Sequence, residues 1–119
     1  MQPSPGRGSS LPDDCLFCEL YREGEHVAAT DGFVAIQDIN PQARTHLLVI
    51  PERHIETFRD IGEFGAHEAK RMLEFVAETA REQGLTDYRV VVNAGEGAGQ
   101  TIFHLHWHIL SGGLTGRMA

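Results

Sequence analysis

The pattern of apolar and polar positions predicts several short strands along the chain. Most of them are apolar stretches bounded by turn residues such as Asp31-Gly32. One is apolar almost throughout and is stopped by Pro51, which is typical of a buried central strand. In chain order, the predicted strands are Val27–Ala29, Phe33–Gln37, Thr45–Ile50 and Tyr88–Val92.

One long periodic segment predicts an amphipathic helix over Glu63–Gln83. Its apolar residues recur at spacings of three and four, so they share one stripe of the helix surface. Gly84 then supplies the left-handed residue that commonly ends a helix. A short helical turn is predicted over Cys18–Arg22, whereas Ile55–Ile61 is either irregular or one helical turn. The stripe consists of Ala69, Met72, Leu73, Val76 and Ala80.

The order of these elements predicts the fold class. Because only one long helix separates two groups of strands, an antiparallel α+β sheet with the helix on one face fits better than a doubly wound α/β sheet. A sheet of four or five strands under one helix leaves a face or an edge partly open. Pairing with a second copy would close it, so a homodimer is expected.

Three histidines alternate with apolar residues in the segment Gln100–Leu110. Alternation predicts a strand, in which His104, His106 and His108 share one face and lie roughly 6.5–7 Å apart. One imidazole could then attack a small group while its neighbour steadies that group, and the third lies too far away to take part. Two alternatives are a solvated, histidine-rich edge strand and a zinc site made of histidines alone.

Composition and charge narrow the choice of partners. The formal net charge of −7 argues against nucleic acid or an anionic membrane as the main partner, because either would require a basic surface. No apolar run approaches the roughly 18 residues that a membrane span needs. Residues 1–12 contain Pro, Gly and Ser but no apolar signal-peptide core, which predicts a disordered leader before a single domain over residues 13–119. A cytoplasmic protein is expected.

The two cysteines, Cys15 and Cys18, are separated by two residues. They are too few and too close for the disulfide framework of a secreted protein. Three interpretations stay open on the spacing alone: a redox pair, two unrelated buried thiols, or half of a zinc site completed by histidines.

A glycine-rich loop, Asn93–Thr101, leads directly into the histidine segment. By itself it is typical of a flexible hairpin loop. Its position would place the backbone N–H groups of Gly99, Gln100 and Thr101 beside an anion at His106. The Thr101 hydroxyl could donate to a phosphate or to a leaving-group oxygen. Oriented donors next to imidazole nucleophiles indicate nucleotidyl or phosphoryl transfer through a histidine adduct.

The segment His104–Leu110 resembles the signature of the histidine triad (HIT) superfamily, His-x-His-x-His followed by two residues, with an apolar residue at every x. The resemblance extends to Asp38-Ile39, Thr45–His54, Asn93 and Gly99-Gln100-Thr101, and covers about residues 15–113. It implies an α+β fold with a five-stranded antiparallel sheet and one long helix, which dimerises into a ten-stranded sheet.

The resemblance also implies a mechanism. His106 would attack the α-phosphorus of an AMP- or GMP-linked substrate and form a covalent nucleotidyl-histidine intermediate, which water then hydrolyses. His108 would bind the phosphate oxygens. Asp38 would accept the ribose hydroxyls with Ile39 beside the nucleoside, although by its residue type alone Asp38 is a turn or cap residue before Asn40-Pro41. The phosphate and its leaving group would be held by Asn93, Gly99, Gln100 and Thr101.

The Leu-Val-Ile-Pro run and Gly112-Gly113 are most similar to the Hint branch, whose members hydrolyse purine nucleoside phosphoramidates. The Cys-x-x-Cys pair is similar to that of bacterial members that bind structural zinc, and no organic cofactor is implied. Two departures concern substrate choice: Gln37 stands where relatives commonly carry a larger apolar residue or histidine, and the tryptophan-containing tail of eukaryotic members is missing after Ala119. The implied zinc ligands are Cys15, Cys18, His54 and His104.

Three other functions stay open on the sequence. A Fhit-like dinucleoside polyphosphate hydrolase shares the histidine signature, although the C-terminal end of the chain resembles the Hint branch. A nucleotide-binding or partner-binding module with incidental catalysis belongs to a different class of protein. A metal-centred hydrolase that uses all three histidines would lose its activity on chelation and would form no covalent nucleotide adduct.

Overall fold

A computed structural model describes residues 15–114, which form a five-stranded antiparallel sheet with a helix packed on each face. The predicted leader, residues 1–12, and both ends of the predicted domain lie outside the described residues. Within residues 15–114, no helix is long and apolar enough to cross a membrane. The α+β class and the five-stranded antiparallel sheet are confirmed.

The strands neighbour one another in the order β1-β2-β3-β5-β4, and every neighbouring pair is antiparallel. Short 3-10 segments over Phe58–Glu63 and Glu96–Ala98 precede α2 and β5, respectively. The helices are α1 (Leu16–Glu23) and α2 (Ala66–Glu82). The strands are β1 (Ala28–Thr30), β2 (Phe33–Gln37), β3 (Thr45–Pro51), β4 (Arg89–Val91) and β5 (Trp107–Ser111).

Helix α2 covers one face of the sheet through a stripe that differs in part from the predicted one. Met72 and Val76 are buried as predicted, but Leu73 is 52% exposed, so its assignment to the stripe is wrong. Each residue advances roughly 100° around a helix, and the buried arc is centred between Met72 and Val76. Leu73 therefore lies at the solvent edge of this arc, and Phe75 and Thr79 extend it on the other side.

Both faces of the sheet are buried, which explains the continuous apolar run in β3. Leu47 and Val49 point into the core beneath α2. Leu48 and Ile50 point to the opposite face and pack in a second cluster with Phe17 of α1. A strand that is buried on both sides cannot show alternation, so its sequence is apolar at successive positions.

Strand β5 begins at Trp107, so the predicted histidine strand is too long at its N-terminal end. The ladder between β3 and β5 ends at the pair Val49–Trp107. The peptide groups of successive strand residues point to opposite sides of the strand. Glu52 donates its N–H to Gly32 on the side away from β5, so the backbone of Pro51, two residues beyond Val49, faces β5. Proline has no N–H to donate, so the chain just before β5 leaves the ladder.

The predicted alternation of side chains survives this break. Leu105 packs in the core beneath α2 together with Trp107. The three histidines emerge on the other face, where His106 contacts the Phe17 ring of α1. The fold therefore directs the histidine side chains toward α1, on the face of the sheet opposite α2.

Candidate functional site

Two thiols and two imidazoles converge at the start of α1. Cys15 Sγ lies 3.2 Å from His104 Nδ1, and Cys18 Sγ lies 3.4 Å from the same nitrogen. His54 Nδ1 is 3.4 Å from Cys18 Sγ and 3.0 Å from His104 Nδ1. All four ligand atoms lie within 4.8 Å of one another, so they are positioned to hold a single metal ion.

A hydrogen bond to Pro51 prepares His104 for a metal. His104 Nε2 lies 2.8 Å from the Pro51 carbonyl oxygen, which can only accept. Nε2 therefore carries the proton, and the lone pair of Nδ1 points to the position that a metal ion would share with the other three ligands. The carbonyl is available for this bond because the β3–β5 ladder has already ended at Val49.

The two thiols differ in their readiness to ionise. Burial raises the pKa of Cys15, but hydrogen bonds with the His104 and His54 imidazoles outweigh it and bring the pKa down to about 5 when no metal is bound. Such a bond needs a proton on His104 Nδ1, and a bound metal ion takes the place of that proton. Burial and the adjacent Cys15 raise the pKa of Cys18 to about 12. One thiolate is therefore favoured and a second is opposed, and a bound cation supplies the charge that stabilises both thiolates.

A cavity of about 350 Å³ lies next to this cluster, between α1 and the sheet. Its wall combines polar groups from the histidine segment and the β2–β3 region with apolar side chains from α1, β2 and β3. The principal polar residues of the wall are Asp38, His46, Thr101, His106 and His108. Its apolar residues are Leu16, Phe17, Leu20, Ile36, Ile39, Leu48 and Ile102.

His106 presents a lone pair on one defined nitrogen. Its Nδ1 lies 2.7 Å from the His104 carbonyl oxygen, so Nδ1 donates and Nε2 carries the lone pair. Phe17 packs edge-on against the ring, with the centroids 4.8 Å apart and the planes at 88°. Burial lowers the pKa of His106, which keeps the ring neutral and nucleophilic at neutral pH.

His108 is oriented by His46 of β3. The Gln42 N–H donates to His46 Nδ1 over 3.0 Å, so the proton of this imidazole is on Nε2. His46 Nε2 lies 2.9 Å from His108 Nδ1 and 3.4 Å from an Asp38 carboxylate oxygen. Donation to His108 Nδ1 leaves the His108 proton on its own Nε2. His108 thus offers a donor, whereas His106 offers a lone pair.

The charge state of His108 follows from its surroundings. Burial lowers its pKa, and repulsion from His106 and His46 lowers it further, to about 4. The ring is therefore neutral at neutral pH, and it acts as a hydrogen-bond donor rather than as a cation.

Sequence reasoning assigned no role to His46, although a signal was present. His46 interrupts an otherwise apolar strand and is 6% exposed, and a buried imidazole requires partners. Asp38, His46 and His108 also lie close enough to hold a metal ion. A metal on His46 Nε2 would force the proton onto Nδ1, where the Gln42 N–H already points. The hydrogen-bonded chain is therefore the better interpretation.

Asp38 combines the two interpretations drawn from the sequence. One oxygen accepts the Asn40 N–H over 2.8 Å, as expected of a turn residue. The carboxylate also lines the cavity, and its other oxygen is the one close to His46. Ile39 is 92% exposed at the edge of the same cavity, so a bound molecule could cover it.

The glycine loop is ordered by Gln100 rather than being a plain flexible hairpin. Gln100 is 2% exposed, and its Oε1 accepts the Gly95 N–H over 2.8 Å. Its Nε2 donates to the carbonyl oxygens of Glu56 at 2.6 Å and Ile102 at 3.0 Å. In this structure, Gln100 therefore braces the loop from inside.

The other predicted residues of this loop differ in their relation to the cavity. Thr101 lines the cavity and is exposed at its wall. Asn93 and Gly99 are both described, and neither lines the cavity. Gly99 adopts φ 96°, in the left-handed region, and ends the 3-10 segment of the loop.

The arrangement separates two tasks among three histidines. His104 belongs to the cysteine cluster, so the site is not made of histidines alone. His106 and His108 share the cavity with ring centroids 5.1 Å apart. A lone pair beside a donor suits attack at an atom whose oxygens gain negative charge, as in acyl or phosphoryl transfer.

Comparisons with known proteins identify relatives of this chain. A sequence model of the HIT domain matches residues 22–113. An uncharacterized HIT-like protein of Chlamydia trachomatis is 44% identical over 101 residues, which cover 82% of this chain and 88% of that protein. The purine nucleoside phosphoramidase of Escherichia coli K12 is 31% identical over 113 residues, which cover 91% of this chain and 95% of that protein. The crystal structure of a HIT family hydrolase from Legionella pneumophila superposes with a TM-score of 0.75 at 35% identity, and the match covers 87% of this chain and 94% of that one.

Proposed function

The chain belongs to the HIT domain family, and we propose that it hydrolyses purine nucleoside phosphoramidates through a nucleotidyl adduct on His106. One observation carries the proposal: His106 Nδ1 donates to the His104 carbonyl, so that the nucleophilic lone pair is on Nε2 in a wall of the cavity. The similarity to the Escherichia coli purine nucleoside phosphoramidase supports the choice of substrate.

In the first step, His106 Nε2 attacks the α-phosphorus and the P–N bond of the substrate breaks. The leaving amine takes a proton from solvent water, for which we assign the exposed Thr101 hydroxyl on the cavity wall as the relay, and the water that attacks in the second step returns a proton to solvent. The adduct leaves positive charge on the imidazole, and the Nδ1–H bond to the His104 carbonyl stabilises it. In the second step, water attacks phosphorus, releases the nucleoside monophosphate and restores neutral His106.

The remaining wall residues supply binding. His108 donates from Nε2 to a phosphoryl oxygen, because His46 occupies its Nδ1. Asp38 accepts ribose hydroxyls, and the apolar side chains of α1 and β2 enclose the base beside Ile39. Gln100 contributes through the shape of the glycine loop, and direct contacts of Asn93, Gly99 and Gln100 with phosphate stay predictions.

Zinc is the metal we assign to the four-ligand cluster. Two thiolates and two imidazoles form a standard closed tetrahedral set, in which zinc ties α1 to the sheet and does no chemistry. Elemental analysis of the purified protein should find one zinc per chain, and Cys18→Ser should lose most of it. A folded protein with stoichiometrically negligible zinc would contradict this assignment.

Intact-protein mass spectrometry after rapid quenching tests the reaction. With an adenosine phosphoramidate, the wild type should gain the mass of one adenylyl group, and His106→Ala should gain none. His67→Ala, an exposed histidine on α2, is the matched control and should behave as the wild type does. AMP release that is blocked by chelation, with no adduct at any time, would indicate metal-activated water instead.

The same protein should be offered a diadenosine polyphosphate. Faster cleavage of that substrate than of the phosphoramidate would assign the dinucleoside polyphosphate hydrolase activity. Nucleotide binding without turnover of either substrate would assign a binding module.

We also propose that two copies pair through the edge strand β4. Among the strands of residues 15–114, this one has a neighbour on one side only, and Val90 is 42% exposed on the face that α2 covers elsewhere. Tyr88, 39% exposed, directly precedes this strand and adds a second exposed apolar group. Analytical ultracentrifugation should find a dimer that Val90→Lys dissociates, whereas Ala29→Lys on the opposite edge strand, β1, does not. A wild-type protein that stays monomeric at high protein concentration would refute the proposed pairing.

A further inference from the structure

Helix α1 contributes to both the metal cluster and the cavity within its first two turns. Cys15 and Cys18 are ligands of the cluster. Phe17 lies between them in sequence and lines the cavity, as does Leu20 one turn later. The same short helix therefore holds a metal on one side and forms a wall of the proposed nucleotide pocket on the other.

The ring of Phe17 connects the two sites physically. Phe17 is 3% exposed. It packs edge-on against His106 at 4.8 Å between centroids and also contacts the His104 ring at 6.3 Å and 71°. One aromatic side chain therefore touches a metal ligand and the assigned nucleophile at the same time.

Contacts with the rest of the protein, rather than its own stability, fix α1 in place. The helix has eight residues, which is too short to be stable by itself in water. Its buried residues pack in a small cluster with Val34, Leu48 and Ile50 of the sheet. The ligand cluster at its N-terminus is therefore a major part of what holds α1, and Phe17 with it, against the histidine segment.

We propose that Phe17 is a positioning residue for His106, and that metal at the four-ligand cluster strengthens nucleotide binding through it. Metal bound to Cys15 and Cys18 holds α1 against the sheet, which keeps the Phe17 ring against His106 and closes the cavity wall. Because coupling between two sites is reciprocal, bound nucleotide also tightens the metal. The inference rests on the proposed nucleotide site.

The test compares AMP binding to the full chain with zinc bound and after removal of zinc by a chelator, using calorimetry. In the wild type, zinc removal should raise the dissociation constant of AMP roughly fivefold or more, within the usual range of coupling between sites. In Phe17→Leu, binding should be weaker with zinc present, and zinc removal should change it less than about twofold. The matched control is Phe75→Leu, which removes a buried ring from the core under α2 and should keep the full zinc dependence.

Two results of the binding experiment would overturn the proposal. Equal zinc dependence in Phe17→Leu and wild type would mean that the coupling runs through the His104 backbone instead. Unchanged AMP affinity in folded, zinc-free wild type would mean that there is no coupling. If chelation unfolds the chain, the His106 ring signals of the zinc-loaded variants decide instead, because Phe17 also lines the cavity and its replacement would weaken AMP binding by loss of that contact alone.

Nitrogen NMR of the histidine rings separates this proposal from the proposed function, since it needs no nucleotide. The His106 ring should give one sharp set of signals in zinc-loaded wild type and Phe75→Leu, and broadened or doubled signals in zinc-loaded Phe17→Leu. Sharp single signals in Phe17→Leu would refute the positioning role. Failure of AMP to bind to zinc-loaded wild type, with the ring signals as expected, would refute the nucleotide site alone.

Discussion

Replacement of Gln100 distinguishes a brace of the glycine loop from a direct ligand of phosphate. The side chain is 2% exposed, and its hydrogen-bond partners within residues 15–114 are backbone groups, at Gly95, Glu56 and Ile102. Gln100→Ala would leave the Gly95 N–H without its acceptor. A stranded buried donor costs about 1–3 kcal/mol, and each remaining hydrogen bond contributes about 1 kcal/mol net. We expect the free energy of unfolding to fall by about 3–5 kcal/mol.

Gln100→Glu sharpens the comparison. One carboxylate oxygen could still accept from Gly95, but the other would face the carbonyl oxygens of Glu56 and Ile102. The new carboxylate oxygen and the two carbonyl oxygens would then be in contact with no proton between them, and the carboxylate charge would be buried. Gln100→Glu should therefore be less stable than Gln100→Ala at pH 7. Burial raises the pKa of such a carboxyl group in the folded state, so the deficit should shrink as the pH falls.

Urea unfolding at pH 7 and pH 5 measures both effects, and single-turnover kinetics on folded protein measures the chemical step. Our reasoning would be refuted if Gln100→Ala were within about 0.5 kcal/mol of the wild type, the usual range for surface changes. It would equally fail if Gln100→Glu were the more stable variant at pH 7. A large loss of rate without any loss of stability would identify Gln100 as a phosphate ligand.

Three further predictions follow from the site and the fold. Between about pH 6.5 and pH 4, the unfolded chain binds a proton that folded His108 does not, so the free energy of unfolding should fall as the pH drops, and His108→Gln should flatten this slope. Chelation should lower the melting temperature of the wild type but not that of Cys18→Ser, which calorimetric scans would show. Met72→Ala should lower the free energy of unfolding in urea by about 2–5 kcal/mol, whereas the exposed Leu73→Ala should change it by less than about 0.5 kcal/mol.

The fold was predictable from the sequence where the local pattern and the tertiary environment agree. Phe33–Gln37 is a strand with the predicted bounds, and the apolar run from Thr45 is the central strand, one residue longer than predicted. The strand of histidines was overextended because its N-terminal end depends on Pro51, which is more than fifty residues earlier in the chain. An alternating pattern indicates which face of the sheet each side chain is on. It does not indicate whether the neighbouring strand has the N–H groups that the ladder of hydrogen bonds requires.

The candidate site was predictable only as a set of residue types. The resemblance indicated the four metal-ligating residues, and the structure brings them together. The role of His46 depends on the Gln42 N–H and on His108, a contact across two strands that no local pattern encodes. The assignment of Leu73 to the buried stripe failed because the helical period defines a stripe of uncertain width, and only packing against the sheet determines its edge.

The early end of the β3–β5 ladder has a consequence for how this site can be altered. The acceptors that determine the protonated nitrogens of His104 and His106 are two peptide oxygens, those of Pro51 and His104 itself. Main-chain atoms remain when a side chain is replaced, so alanine substitutions other than Pro51→Ala, which would restore an N–H to the ladder, would leave both acceptors untouched. The identity of the proposed nucleophilic nitrogen is thus a property of the backbone path, and it would be altered by changes that reroute the chain, such as an insertion between β3 and α2.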